Sequence, residues 1–177
     1  MRRLLAIAAE IGDYRMRADG TREDVAMPAP PATDPALSFA ALIVDSDAAS
    51  RNLAAALVEE VGLVPIGCDC GESALEALHR DAGRIALLFT DASLPGDIGG
   101  VGLACEVEER WPDVSLLITS RFHRNWLGKP SSATFIRKPW LALQVLVEAE
   151  KSLHAARRRL QESDAIPGES ENPVSAS

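Results

Sequence analysis

The chain lacks an excess of basic residues. Its 177 residues include 18 Lys and Arg against 26 Asp and Glu, which gives a formal net charge of −8. Proteins that bind nucleic acid directly normally present a basic surface that attracts phosphate groups. The acidic balance therefore predicts a protein that does not bind nucleic acid.

Long apolar runs and metal-binding cysteine pairs are also missing. The apolar stretch that begins at Leu4 meets Glu10 and Asp13 before it reaches the length of a signal-peptide core or a membrane span. The three cysteines are odd in number and include no Cys-x-x-Cys pair, which fits a reducing compartment. These absences predict a cytoplasmic protein without a membrane segment.

Composition divides the chain into one domain flanked by two segments. Residues 27–35 include four prolines, and proline cannot continue a regular helix because it lacks the backbone donor. Large apolar residues are nearly absent from the last part of the chain, so it cannot bury enough surface to become ordered. We predict an N-terminal extension with a Pro-rich linker over residues 1–37, a domain over 38–160 and a disordered tail over 161–177.

Short apolar runs alternate with amphipathic stretches inside that domain. This alternation is typical of parallel strands joined by crossover helices. Three runs lack polar alternation, as strands covered on both faces do: residues 41–44, 85–89 and 114–118. Residues 63–66 contain Pro65 and fit one edge of the sheet, and residues 134–137 fit the other. The pattern predicts an α/β fold, a five-stranded (βα)5 sandwich.

Helical spacing of apolar residues places helices between and after these strands. They are predicted over residues 48–61, 72–80, 102–111 and 142–160. The first should cover the sheet through Leu53, Leu57 and Val61. The fourth crossover, residues 120–132, has weak helical periodicity and predicts only a short or irregular helix.

Polar residues follow four of the predicted strands. In parallel α/β sheets the reactive crevice lies outside the carboxyl ends of the strands, near the point where strand order reverses. The polar ends are, in chain order, Asp45-Ser46-Asp47, Thr90-Asp91, Thr119-Ser120 and Lys138-Pro139. We therefore expect carboxylates, a hydroxyl and an ammonium group to meet in one crevice.

Four segments in this order, LIVDSD, LLFTDASLPG, LLITS and FIRKPW, resemble the motifs of response-regulator receiver domains. The resemblance covers about residues 39–153. It implies a flavodoxin-like, doubly wound parallel sheet of order 2-1-3-4-5 and a place in a two-component His-Asp phosphorelay. A histidine kinase or phosphotransfer protein would be the input partner, and a downstream protein or a homodimer contact the output. Because no segment outside the domain has the length of an effector domain, we expect a stand-alone receiver.

The resemblance also assigns roles to the strand-end residues. Asp91 would be the phosphoacceptor, since a carboxylate can accept a phosphoryl group as a mixed anhydride. Thr119 and Lys138 would contact the phosphoryl oxygens. Asp45, Asp91 and the backbone carbonyl of Ser93 would hold Mg²⁺, which neutralises charge on the transferred group. Such a protein is at most an autocatalytic phosphoacceptor that dephosphorylates itself, and no other enzyme activity is expected.

A switch is implied by the same resemblance. Thr119 would move toward the phosphoryl group, and Phe135 would rotate inward into the space that it leaves. The alternative for Phe135 is an ordinary core residue of an edge strand.

The chain departs from the family pattern directly after the first strand. The family has a second carboxylate there, whereas this chain has Ser46. The loss of a negative charge should weaken Mg²⁺ binding unless Asp47 compensates, and Asp47 also fits the N-cap of the first helix. This departure supports a second hypothesis, a pseudo-receiver that binds partners without a phosphorylation cycle.

Glycine is concentrated in residues 96–102, after the proposed acceptor, and predicts a mobile loop. No Gly-rich phosphate loop follows the first strand, which argues against the remaining alternative, a flavodoxin-like small-molecule binder or enzyme.

Overall fold

A computed structural model describes residues 38–121 and 128–164, which form a parallel sheet with helices on both faces. In chain order the elements are β1 (Ala40–Val44), α1 (Ala48–Val61), β2 (Val64–Cys68), α2 (Gly71–Asp81), a 3₁₀ turn (Ala82–Arg84), β3 (Ile85–Asp91), α3 (Gly100–Arg110), β4 (Ser115–Ser120), β5 (Thr134–Arg137) and α4 (Ala142–Asp164). The predicted N-terminal extension, most of the predicted tail and part of the fourth crossover lie outside the described residues.

The sheet has five strands in the order β2-β1-β3-β4-β5, and every pair is parallel. This confirms the predicted flavodoxin-like, doubly wound (βα)5 topology. Pro65 lies in β2, at an edge of the sheet, where the missing backbone donor is tolerated. The strand order reverses between β1 and β3, so their carboxyl ends border the expected crevice.

Two apolar clusters lie on opposite sides of the sheet. One packs α2 and α3 on the sheet through buried residues such as Leu78, Leu103 and Val107. The other packs α1 and α4, through residues such as Val58 and Leu153. Within the described ranges, no helix has the length and apolar character needed to cross a bilayer.

The buried face of α1 differs from the predicted stripe. Ala54 and Val58 are fully buried, whereas Leu57 and Val61 are only partly buried and Leu53 is 53% exposed. The prediction for Leu53 was wrong because it weighted side-chain size. The helix instead faces the sheet through a smaller residue, alanine, whose short side chain permits close approach.

Element ends also differ from the predicted ones. The strands β3 and β4 continue to Asp91 and Ser120, which places the polar residues of their ends within the sheet register. Helix α4 continues to Asp164, beyond the predicted domain end at Leu160. Residues 128–133 of the fourth crossover form turns and bends rather than a helix.

Helix α3 begins with a very close approach to the end of β3. A Cβ atom added to Gly100 would lie 1.8 Å from the backbone oxygen of Asp91 and 2.9 Å from the Thr90 hydroxyl oxygen. No side chain fits at this distance, so glycine is required. The contact sets where α3 starts relative to the crevice.

Replacement of Gly100 by alanine should therefore displace α3 and lower the free energy of unfolding by about 2 kcal/mol, as overpacking of a tight contact does. Gly99→Ala is the matched control, because a Cβ atom there meets nothing within 4 Å. Urea unfolding of both variants measures the effect. Equal losses in the two variants would contradict the role given to the Gly100 contact.

The observed face of α1 predicts unequal effects of two truncations. Val58→Ala should lower the free energy of unfolding by about 2 kcal/mol, because it removes two buried methyl groups and leaves a cavity. Leu53→Ala removes more atoms, yet it should change stability by less than about 0.5 kcal/mol, because that side chain is exposed. If Leu53→Ala lowered the free energy of unfolding more than Val58→Ala does, Leu53 would belong to the buried face of α1, as the sequence predicts.

Candidate functional site

The carboxyl ends of β1, β3 and β5 bring three charged side chains together. Asp45 directly follows β1, Asp91 is the last residue of β3, and Lys138 directly follows β5. The Lys138 ammonium lies 2.7 Å from Asp45 Oδ2 and 2.6 Å from Asp91 Oδ2. The three groups predicted from the strand ends therefore meet in one crevice.

All three side chains are shielded from solvent. Asp45 is 1% exposed, Lys138 12% and Asp91 13%. The Lys138–Pro139 peptide bond is cis. The crevice thus holds a largely desolvated ion triad in which Asp45 is buried, whereas Asp91 and Lys138 keep limited access to solvent.

Asp45 is held by several further donors. Its Oδ1 accepts the backbone N–H of Asp47 at 3.0 Å, and its Oδ2 accepts the Ser50 hydroxyl at 2.8 Å as well as Lys138. The Arg51 guanidinium donates to the backbone carbonyl of Asp45 at 2.6 Å. Ser50 and Arg51 were not predicted as site residues. They lie in the first turns of α1, and that position after a strand-end acid is the signal that could have identified them.

The protonation of the triad follows from these contacts. Burial alone would raise the pKa of Asp45, but hydrogen bonds from Lys138, the Asp47 amide and Ser50 outweigh burial and lower it. Burial alone would lower the pKa of Lys138, but its bonds to Asp45 and Asp91 outweigh burial and raise it. Both groups therefore keep their charges at neutral pH.

Asp47 caps α1. Its Oδ2 accepts the backbone N–H of Ser50 at 3.0 Å, which confirms the predicted N-cap role. One of its oxygens is thereby engaged in the helix start. Ser46 is exposed beside it and brings no charge to the crevice.

Asp91 is oriented from both sides. Its Oδ1 accepts the backbone N–H of Ser93 at 2.9 Å, and its Oδ2 accepts Lys138. Thr119 is its register partner on β4 and is fully buried. The Thr119 hydroxyl donates to the backbone carbonyl of Thr90 at 3.4 Å, a long bond that is easily exchanged for a better acceptor.

Phe135 lies on β5, opposite Ile118 of β4. Its ring is half-buried against the apolar cluster under α3, and the Lys129 ammonium lies 5.3 Å from the ring centroid. This is within the range of a cation–π contact. Lys129 was not predicted, and its place among the turns and bends of residues 128–133 gives no sequence signal for the contact.

The geometry fits a cation between the two carboxylates. Asp45 Oδ2 and Asp91 Oδ2 converge on the ammonium of Lys138, which shows that both can direct an oxygen at one positive charge. Asp45, Asp91 and the Ser93 carbonyl would be the ligands of Mg²⁺. In the described part of the chain, no group of three or more His, Cys, Asp and Glu side chains is arranged so that it could hold a metal ion. The crevice therefore offers two carboxylates to a cation, one fewer than the family pattern has.

No protein-family model and no curated protein matches the chain. Solved structures do match. The receiver domain of NtrX from Brucella abortus is 26% identical, with a TM-score of 0.56 over 64% of this chain and 98% of that one. A longer NtrX chain is 27% identical, with a TM-score of 0.59 over 75% of this chain and 31% of that one.

The fold likeness extends to more distant proteins. The signal receiver domain of an HD domain-containing protein from Pseudomonas fluorescens Pf-5 is 16% identical, with a TM-score of 0.60 over 68% of this chain and 98% of that domain. At this identity the likeness concerns the fold, and the sheet order and the crevice described above agree with it. The chain therefore contains a domain with the receiver fold of response regulators.

Proposed function

We propose that this receiver accepts a phosphoryl group on Asp91 from a histidine kinase or phosphotransfer protein in the cytoplasm. The observation that carries the proposal is the setting of the Asp91 carboxylate. It ends a central strand, it is bound by Lys138 and the Ser93 amide, and it retains some exposure to solvent. Asp45, by contrast, is almost completely buried.

The transfer requires one bond to form and one to break. An oxygen of the Asp91 carboxylate attacks phosphorus, and the bond between phosphorus and the donor's imidazole nitrogen or leaving oxygen breaks, with its electron pair going to the donor. The chain itself contributes positioning and charge. The Lys138 ammonium already donates to the Asp91 carboxylate and can stay in contact with its oxygens during transfer. The Thr119 hydroxyl can exchange its long hydrogen bond to the Thr90 carbonyl for one to the phosphoryl group.

Mg²⁺ fits the same crevice. When bound by Asp45, Asp91 and the Ser93 carbonyl, it would neutralise charge on the transferred phosphoryl oxygens. Lys138 competes with it, because the ammonium occupies one oxygen of each carboxylate. With Ser46 uncharged, the two carboxylates and one ammonium leave a net charge of −1, so the crevice attracts a divalent cation less than the family pattern does.

The output is a contact with another protein. Movement of Thr119 would open space beside β5, and Phe135 lies on that strand, half-buried and able to respond. Hydrolysis of the aspartyl phosphate would return the domain to its starting state. The downstream partner, or a second copy of the chain, would read the surface of β5 and its neighbours.

A second candidate function is a pseudo-receiver that binds partners without phosphorylation. Ser46 favours it, together with the internal neutralisation of the crevice by Lys138 and the nearby Arg51. A crevice whose charges are already paired can be stable without metal. The two candidate functions differ in whether Asp91 forms a phosphoryl adduct.

Intact mass spectrometry after incubation with acetyl phosphate and Mg²⁺ tests the acceptor. The natural chain should gain one phosphoryl group, and Asp91→Asn should gain none, because the amide is not a nucleophile of this kind. Asp69→Asn is the matched control, since Asp69 is exposed at the same end of the sheet, after β2. An adduct in Asp91→Asn would place the phosphoryl group on another residue and contradict the assignment of Asp91. No adduct in the natural chain, with this donor and with a panel of histidine kinases, would leave the pseudo-receiver.

The missing carboxylate can be restored at position 46. Ser46→Asp should lower the Mg²⁺ concentration at half-saturation about tenfold, because affinity for hard cations increases with the number of charged ligands. Ser46→Asn is the control of matched shape without charge, and it should leave the midpoint unchanged. Calorimetric Mg²⁺ titration of the three proteins measures the difference. Equal midpoints for the Asp and Asn variants would show that charge at this position does not limit metal binding.

A further inference from the structure

The loop that follows Asp91, residues 92–99, packs against the first turn of α2. Helix α2 begins at Gly71, and a Cβ atom added there would lie 2.8 Å from the Ile98 backbone oxygen and 3.1 Å from the Ile98 Cβ. The loop and the helix start are therefore in direct contact. The glycine at the helix start allows this approach, as Gly100 does at the start of α3.

The side chain of Glu72 lies over the same loop. A Cβ atom added to Gly96 would lie 3.2 Å from Glu72 Oε1 and 3.3 Å from Oε2, and Gly96 has a φ of +101°. Hydrogen bonds lower the pKa of Glu72, first from its own backbone N–H and then from the Cys70 side chain and the backbone of Ile98 and Asp97. The Glu72 side chain is exposed, and its carboxylate lies against Gly96 and near the backbone of the loop.

Both ends of the loop are tied to the acceptor strand. At its start, the Ala92 N–H donates to the Thr119 carbonyl at 2.8 Å, and the Ser93 N–H donates to Asp91 Oδ1. At its end, the loop leads into Gly100, which lies against the Asp91 backbone. Between these points, the Glu72 carboxylate lies against Gly96.

We propose that Glu72 is a positioning residue for the phosphoacceptor: its carboxylate anchors the loop to α2 and so fixes the Ser93 backbone against Asp91. The structural part of this proposal stands on the loop contacts alone, and the link to phosphoryl transfer rests on the proposed function. Ser93 connects the loop to the site, because its N–H orients Asp91 and its carbonyl is the proposed Mg²⁺ ligand. Glu72 acts through Ser93 and does not itself touch the reacting atoms.

Two variants break the contact from opposite sides. Glu72→Ala removes the anchor, and Gly96→Ala places a methyl group against the carboxylate in a backbone conformation that alanine rarely adopts. Glu76→Ala is the matched control, since Glu76 is exposed on the same helix, one turn farther along. All proteins are full-length, and urea unfolding identifies any variant that has lost its fold.

The first measurement is hydrogen exchange at the Ser93 and Ile98 amides, followed by NMR. Exchange at both should be about tenfold faster in Glu72→Ala and in Gly96→Ala, as expected when a local opening becomes easier. Glu76→Ala should match the natural chain, and the double variant of Glu72 and Gly96 should exchange no faster than the more affected single variant. Unchanged exchange at Ser93 in both single variants would overturn the proposal.

The second measurement is the initial rate of Asp91 phosphorylation by acetyl phosphate, over a range of Mg²⁺ concentrations. Both single variants should react about tenfold more slowly, because small misplacements of reacting groups are costly. Their Mg²⁺ midpoint should also rise, an effect that general loss of stability does not produce. Faster exchange with an unchanged rate and midpoint would overturn the positioning role. Failure of the natural chain to react would overturn the proposed function alone, since the exchange measurement needs no phosphoryl donor.

Discussion

The bridge from Lys138 to Asp45 and Asp91 is the interaction on which the rest of the domain depends. It joins the carboxyl ends of β1, β3 and β5, so it connects the two sides of the switch point to the far edge of the sheet. Asp45 could not be buried with its charge without such a partner, because desolvation of an unpaired carboxylate costs several kcal/mol. Among the described residues, no buried side-chain oxygen or nitrogen lacks a hydrogen-bond partner. The crevice is thus a fully paired polar centre between two apolar layers, and removal of one member would leave the others uncompensated.

The same bridge sets the conditions for chemistry. An ammonium group between two carboxylates stabilises the domain without metal, yet it occupies the oxygens that a divalent cation needs. In a crevice with three carboxylates, one ammonium leaves enough negative charge for both roles. Ser46 removes that surplus here, and the donors on Asp45 from Ser50 and the Asp47 amide further engage its oxygens. Stability and metal affinity are therefore opposed in this chain, and the balance between them decides whether Asp91 takes part in a phosphorylation cycle or only shapes a binding surface.

Much of the fold and the centre of the site could be predicted from the sequence, because both depend on local patterns. Apolar runs identify strands, parallel strands place their ends together, and the polar residues at those ends identify Asp45, Asp91 and Lys138. The errors arise where side chains meet across elements. The stripe through Leu53 was wrong because residue size was taken as a guide to burial, whereas α1 approaches the sheet through Ala54. Arg51 was missed because the sequence shows only that it lies in the first turn of a helix after a strand-end acid, whereas its contact with the Asp45 carbonyl depends on how α1 lies against β1.

The loop after Asp91 is another place where contacts between elements could not be predicted from the sequence. Glycine content predicts freedom of the backbone, and the sequence offers no way to distinguish freedom from close packing, since both require the absence of a side chain. In the structure, two glycines of this segment lie where another group comes close to the space of a Cβ atom: Glu72 against Gly96 and the Asp91 backbone against Gly100. Gly71, at the start of α2, is in the same position against Ile98, whereas Gly99 has open space around it. Each contact constrains a different part of the chain between α2 and α3. This part of the chain includes Ser93, whose backbone N–H donates to Asp91. Glycine in this segment therefore also serves close packing, and the Asp91 carboxylate is bound by Lys138, a residue distant from it in the sequence.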